Sequence, residues 1–309
     1  MLSKVAERLY WTARYLERVE NTARLVRVYD KLLFDLPNEI NIDWYNLVIL
    51  NSATALFEDR YKNRDERNVV KFMLSDDTNP SSVLSTLKRV RENIRTSRDV
   101  VPDETWELIN EVYLYARNNI QQGINRSRRH QFLSEVIKGC QMLSGLLYGT
   151  MSHDAGWQFM KLGRDLERAD MTTRILDAGA SALLEANGDT NINLRQVVWG
   201  HVLRSAGAYM SYRRTVKAAV YGPDVASFML EDPEFPRTVR FCLVEAAEAA
   251  DKLPKNDRVR KVIRNIHPDA IQFETDPDLE EGFRDFLNDL QMQFGELHEA
   301  ISETWFPIP

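Results

Sequence analysis

"RYLERVENTAR", Arg14–Arg24, and "RDLERADMTTR", Arg164–Arg174, decide how this chain is read. The second stretch lies 150 positions after the first, and Arg14, Leu16, Glu17, Arg18, Thr22 and Arg24 meet Arg164, Leu166, Glu167, Arg168, Thr172 and Arg174. Glu20 meets Asp170, so the acid is kept. Each stretch reads as a helix. At roughly 100° per residue, Leu16, Val19, Ala23 and Val26 share one arc, and charged or polar residues fill the rest. Leu25 falls inside the polar arc, as Ile175 does in the second stretch. An apolar residue repeated within a charged face implies a face that is at least partly covered.

The charge spacing points the same way. Glu20 with Arg24, and Asp170 with Arg174, are favourable i,i+4 pairs. Arg14 with Arg18, and Arg164 with Arg168, have the same spacing and repel. A solvated helix would gain roughly 0.2–0.5 kcal/mol by avoiding each conflict. Both stretches retain it, so each arginine is expected to have a partner elsewhere. That partner is either a carboxylate in an ion-pair lattice that sets the register of two halves, or an anion gripped by planar guanidinium forks in a polar cleft. The candidate anion- or substrate-binding residues are therefore Arg14, Arg18, Glu20, Arg24, Arg164, Arg168, Asp170 and Arg174. Glu92 and Arg95 join them, because "VRENIRTSRD" puts both on one helical side with Asp99, where they either pair locally or line a cleft shared with the Glu-Arg helices. Arg237 joins them because it follows Pro236 at an expected helix start, where an anion could sit. Glu17 and Glu167 are the candidates for acid–base work.

Further along, the two halves match again. "FMLSDDTNPSSVLSTL" from Phe72 meets "FMLEDPEFPRTVRFCL" from Phe228 at an offset of 156, and "QMLSG" at 141–145 meets "QMQFG" at 291–295 at 150. Three matches in one order imply an internal duplication, with repeats at 1–150 and 151–309 packed as a single domain with pseudo-two-fold symmetry. The fold class is all-α. Period-3.6 apolar patterns run through Leu84, Leu87, Val90 and Ile94, through Trp106, Ile109, Val112 and Ala116, and through Phe286, Leu290, Phe294, Leu297 and Ile301. "NPSS" at 79–82, "VPDETW" at 101–106 and "DPDLEE" at 276–281 mark helix starts. Loops are expected near 35–42, 59–68, 75–80, 98–104, 123–129, 186–193, 221–224, 231–237, 253–257 and 267–278, and "NRSRRHQF" at 125–132 reads as a basic loop, either a solvated turn or a patch for an anion or partner.

The bulk properties narrow the function classes. The 309 residues are 44% hydrophobic and 28% charged, with a net charge of −6. An acidic chain is not expected to bind nucleic acid generally. No run of 18 uncharged apolar residues occurs, so no membrane span is expected, and "MLSKVAERLYW" lacks the apolar core of a signal peptide. Cys140 and Cys242 lie in apolar stretches and read as buried free thiols in a reducing cytoplasm. None of the five histidines has a glutamate three positions before it, as a carboxylate di-iron bundle requires, so no metal is expected. A Gly-x-x-x-x-Gly-Lys-Ser/Thr phosphate loop and a Gly-x-Ser-x-Gly elbow are both missing, and no cofactor is expected. "ETWFPIP" at the end is apolar and is expected to dock on the body or on a partner.

"SKVAERLYWTARYLERVENTARLV" and "WQFMKLGRDLERADMTTRILD" resemble the two signature segments of the alpha-E domain family, an all-helical bacterial family named for its Glu-Arg motif. "NPSSVLSTLKRVRENIRTSRD", "TWELIN" and "FMLEDPEFPRTVRFCL" extend the resemblance over essentially the whole chain. One departure is "TAR" at 12–14, where the family more often has Gly before the Arg; the second stretch keeps that Gly as Gly163. The resemblance implies a genomic setting beside circularly permuted ATP-grasp ligases, transglutaminase-like peptidases and proteasome-like hydrolases. It therefore implies an accessory or co-catalytic subunit of an ATP-dependent peptide or amide ligase, one that holds a carboxylate-bearing peptide or acyl-phosphate. A stand-alone amide- or peptide-handling transferase or hydrolase using Glu17 or Glu167 is one alternative, and an oligomerisation scaffold is another.

Overall fold

In the computed structural model, residues 2–35, 43–184, 192–266 and 281–307 are described, and every regular element among them is helical. Two long helices form the spine: α1, Ser3–Asp35, and α8, Ala155–Leu184. They make the most extensive helix–helix contact among the described residues. Between them lie α2 (Asn46–Leu50), α3 (Thr54–Glu58), α4 (Glu66–Leu74), α5 (Val83–Arg95), a 3-10 turn at Arg98–Val100, α6 (Glu104–Ile124) and α7 (Arg126–Thr150). After α8 come α9 (Ile192–Ser205), α10 (Tyr209–Thr215), α11 (Gly222–Glu231), α12 (Val239–Asp251), α13 (Asp257–Asn265) and α14 (Glu281–Trp305). Helices α5 and α7 pack on α1, while α12 and α14 pack on α8; α6 covers α5 and α7, and α13 covers α12 and α14.

Local chemistry explains the element ends. Ser82 begins α5 by accepting from the Ser85 amide at 3.2 Å, and its hydroxyl donates to the Asp76 carbonyl at 2.7 Å. Thr238 does the same for α12, with the Phe241 amide at 3.1 Å and the Asp232 carbonyl at 2.6 Å. Such caps satisfy amides that the first turn leaves without partners. The loop expected at 221–224 is instead the opening of α11, which starts at Gly222 and carries Pro223 in its first turn. Proline fits there because its missing N–H is not needed. The loops expected at 35–42, 186–193 and 267–278 fall largely outside the described residues, as does most of the helix start at 276–281.

The basic loop expected at 125–132 is also corrected. Helix α7 begins at Arg126, and Arg129 is only 1% exposed. Its guanidinium donates to the carbonyls of Gly123 (3.1 Å) and Ile124 (3.0 Å), the last two residues of α6. It also pairs with Asp30 and Glu66, each at 2.7 Å, and lies over the Trp44 ring. One arginine thus closes the carbonyl end of α6 and ties it to α1 and α4, a use that periodicity does not reveal.

A continuous apolar core draws on both spine helices and every layer around them, including Leu9, Val19, Phe72, Phe132, Leu176 and Phe283. Cys140 and Cys242 are buried free thiols within it. The terminal segment docks on the body: Trp305 donates its indole N–H to the Pro254 carbonyl at 2.7 Å, and Phe306 packs beside Tyr10 and Phe159. No helix among the described residues is long and apolar enough to cross a membrane.

Gly163 sets how closely the spine helices approach. A Cβ there would lie 2.2 Å from the Tyr10 carbonyl oxygen of α1 and 3.2 Å from Arg14 Cγ. The matched position on α1 is Ala13, which is buried but carries its methyl. Gly163→Ala should therefore force the spine apart and lower the unfolding free energy by about 1–3 kcal/mol. In denaturant titrations Ala13→Gly should cost only about 1 kcal/mol, from helix propensity.

Candidate functional site

The charged faces of α1 and α8 meet in the interior. The side chains of Glu17 and Glu167 are 3% and 2% exposed. Burying an unpaired carboxylate is costly, so each must be surrounded by donors. Glu167 accepts from Arg18 through Nε (2.6 Å) and Nη2 (3.0 Å), a bidentate fork, and from Arg14 Nε at 2.8 Å. Glu17 accepts from Arg168 Nε at 2.8 Å and from Arg237 Nη1. The exchange is reciprocal: Arg18 reaches the glutamate beside Arg168, and Arg168 reaches the glutamate beside Arg18. The Arg14–Arg18 repulsion is answered by one shared carboxylate on the opposite helix.

The remaining arginines of the two stretches, Arg24, Arg164 and Arg174, find partners locally. Arg24 holds Glu20 at 2.7 Å, and Arg174 holds Asp170 at 2.9 Å, both as i,i+4 pairs; Arg174 also donates to Ser52 Oγ at 2.8 Å. Arg237 bridges outward from Glu17 to Asn21 (2.9 Å) and Glu20 (3.1 Å). The exchange is not symmetric in every detail. Arg164 does not mirror Arg14; it forks onto its neighbour Asp165 at 2.8 and 3.0 Å. Asp165 is fully buried, and the matched position on α1 is Tyr15. Sequence reasoning missed Asp165, although an acid directly beside Arg164 was the available signal. Glu92 and Arg95, by contrast, are not brought to this site. They pair with each other at 2.7 Å on the exposed side of α5, each more than half exposed. Helical spacing places two residues on one side but does not say whether that side faces inward.

Electrostatics keep the lattice ionised. Burial alone would raise the Glu167 pKa, but the guanidiniums of Arg18 and Arg14 outweigh it and hold it at about 2. Glu17 is lowered against the same burial by Arg168 and Arg237. Burial pushes the Cys140 and Cys242 thiols well up, which leaves them protonated and inert. Arg14 extends the lattice towards α14. Its Nη1 lies 3.4 Å from the Tyr10 hydroxyl, which is hydrogen-bonded to His298 Nδ1 at 2.9 Å. Burial raises the Tyr10 pKa, while burial and Arg14 push His298 down to about 4. The phenol therefore keeps its proton, and its hydrogen-bond partner is a neutral imidazole at pH 7.

The space beside these groups is small. A void of about 30 Å³ lies against Glu17, Arg164, Lys161 and Trp157. It has room for water but not for a peptide. Lys161 is drawn to Glu245 (2.7 Å) and Glu248 (3.3 Å) on α12.

The profile of the Alpha-E family, described as "A predicted alpha-helical domain with a conserved ER motif", matches residues 1–306. The chain belongs to the Alpha-E family. The two Glu-Arg pairs of this Alpha-E chain, Glu17–Arg18 and Glu167–Arg168, are the residues exchanged between α1 and α8. Similar proteins are uncharacterised ones of Mycobacterium bovis and of two strains of Mycobacterium tuberculosis, each 21% identical over 99% of this chain. The chain spans 37% of the length of these relatives. No solved structure matches.

Two predictions follow from the lattice. Glu167→Ala should strand two buried guanidiniums and cost about 3–5 kcal/mol in denaturant unfolding. Arg14→Met and Arg18→Met added to Glu167→Met should recover most of that loss, because an apolar cluster of similar volume has no charge to leave unpaired. The second concerns pH. An unfolded His298 takes up a proton below its ordinary value of 6.5, whereas the folded one resists until about 4. Its contribution to stability is thus complete above 6.5 and declines towards 4. Glu167 contributes above its ordinary 4.5, and this is lost as the pH falls towards 2. Denaturation midpoints measured from pH 7 to pH 2 should fall in both windows, and His298→Gln should flatten mainly the upper one.

Proposed function

We propose that this Alpha-E chain is an accessory or co-catalytic subunit of an ATP-grasp peptide or amide ligase system. What supports the reading is the state of the two Glu-Arg glutamates. Both are buried, both carry arginine donors, and both have lowered pKa values. A general acid at neutral pH needs a raised pKa and reach to a substrate; neither glutamate has these. The lattice is then architecture, and the chain serves by holding a partner or its substrate on other surfaces. The acyl-transfer or hydrolase alternative, with Glu17 or Glu167 as acid–base group, has no such support.

The same reading includes an internal duplication, with repeats at 1–150 and 151–309 forming one domain about a pseudo-two-fold axis. It is supported by the reciprocal Arg18–Glu167 and Arg168–Glu17 pairs, by the matched Ser82 and Thr238 caps, and by α5 and α7 packing on α1 as α12 and α14 pack on α8.

The test is to co-express the chain with the ATP-grasp ligase encoded nearest to it and assay the isolated proteins and their mixture. A stable complex is expected, with ATP turnover and amide product at least tenfold above the ligase alone. Two separate proteins with unchanged turnover would remove the proposal.

A further inference from the structure

Away from the lattice, an open groove runs between the second half of α1 and the helices α9 and α10. Two adjoining spaces, of about 840 and 400 Å³, share Lys31, His201, Arg204 and Tyr209 in their walls. That is the size range of a small-molecule site. The walls are cationic. Arg24, Arg27 and Lys31 project from α1 at i, i+3 and i+7, facing Arg204 and Arg213 from α9 and α10 and Lys217 beyond them. No carboxylate lines either space among the described residues.

Among the described residues, most of this charge has no counter-ion. Arg24 is held by Glu20. Asp30, beside Lys31, is taken by Arg129 at 2.7 Å. Arg27 reaches the Ser134 hydroxyl at 3.5 Å, and Arg204 lies over the Tyr209 ring at 4.4 Å. Among the described residues, Arg27, Lys31, Arg204, Arg213 and Lys217 have no ion pair. The like charges are felt locally. Burial and Arg24 lower the pKa of Arg27, and burial, Lys31 and Arg27 lower that of His130 on the wall beside them. Such crowding in a chain of net charge −6 is a cost unless an anion occupies the groove.

We infer that this groove binds a small molecule carrying a chain of two or more phosphates. A single carboxylate would occupy one guanidinium fork and leave the other cations facing one another. A polyphosphate chain presents several charges and many acceptor oxygens along a line, which matches cations arrayed on both walls. An extended nucleic acid is less favoured as the occupant, because the chain as a whole has a net charge of −6. The inference stands apart from any ligase partner, since it concerns only what the isolated chain binds.

The test uses the full chain and calorimetric titration at low salt, with inorganic tripolyphosphate, ATP without magnesium, succinate and a single-stranded dodecanucleotide as probes. Tripolyphosphate and ATP are expected to bind at least tenfold more tightly than succinate or the oligonucleotide, and to weaken steeply as salt is raised. If ATP and tripolyphosphate bind alike, the phosphate chain alone is recognised; if ATP is tighter, the nucleoside adds contacts. The combined variant Arg27→Gln, Lys31→Gln and Arg204→Gln should lose at least tenfold in affinity while keeping the helical circular-dichroism signal and melting cooperatively. Arg95→Gln, on the exposed side of α5, should bind as the parent does. Absence of tripolyphosphate binding at millimolar concentration, equal binding by the folded groove variant, or tighter binding of the oligonucleotide would each overturn the inference.

Discussion

The exchange of guanidinium forks between α1 and α8 is the constraint on which the rest of this Alpha-E structure depends. Two carboxylates are taken almost wholly out of water, at a cost that only a full set of donors offsets. The donors come from the facing helix and, for Glu17, also from Arg237 before α12, so neither helix can satisfy its own face alone. A rotation or a one-turn slide of α8 along α1 would leave several charges buried without partners. Apolar packing tolerates modest sliding; a lattice of paired charges does not. Its main effect is therefore on register.

Register then fixes the outer layers. The close approach at Gly163 and the pairs Arg14–Glu167 and Arg18–Glu167 place α8 against α1, which sets where α5, α7, α12 and α14 find their seats. Arg237 carries the constraint outward, because it leaves the start of α12 to join Glu17, Asn21 and Glu20 on α1. Thr172 of α8 donates to the Arg237 carbonyl at 2.8 Å, so backbone and side chain of one residue link both spine helices. The lattice also places the second half of α1 beside α9 and α10, where the cationic groove lies. Architecture and candidate binding surface are thus two faces of one helix, with Arg24 at the join: it pairs with Glu20 and also lines the groove.

Much of this was legible in the residues. The all-helical class follows from 3.6-residue periodicity, and the helix starts near Ser82 and Glu104 follow from turn chemistry. The repeated arginine repulsion implied partners elsewhere, which Arg14, Arg18 and Arg168 have on the facing helix while Arg164 takes Asp165 of its own helix. The limits are equally physical. Arg129 looked solvated because it lies in the basic run "NRSRRHQF", and only the end of α6 arriving beside it makes burial favourable. The spacing of Glu92 and Arg95 allowed either a local salt pair or a place in a cleft, and the structure holds the local pair; helical spacing carries no information about which side faces a neighbour. Asp165 was overlooked because its partner is its immediate neighbour in the chain, where side chains usually diverge.

The sequence by itself determined the helical class, the two Glu-Arg stretches, the need of each arginine for a partner, and the family resemblance. These depend on local spacing and on the energetics of like charges one turn apart. Tertiary structure alone decided which carboxylate each arginine meets, that Arg237 completes the site of Glu17 while Asp165 takes Arg164, and that unpaired cations from α1, α9 and α10 converge on one groove. The cross-helix pairings join residues more than 100 positions apart in the chain, as Arg14 and Glu167 are. Only the packing of one helix on another brings such residues within reach, and no one-dimensional pattern encodes that distance.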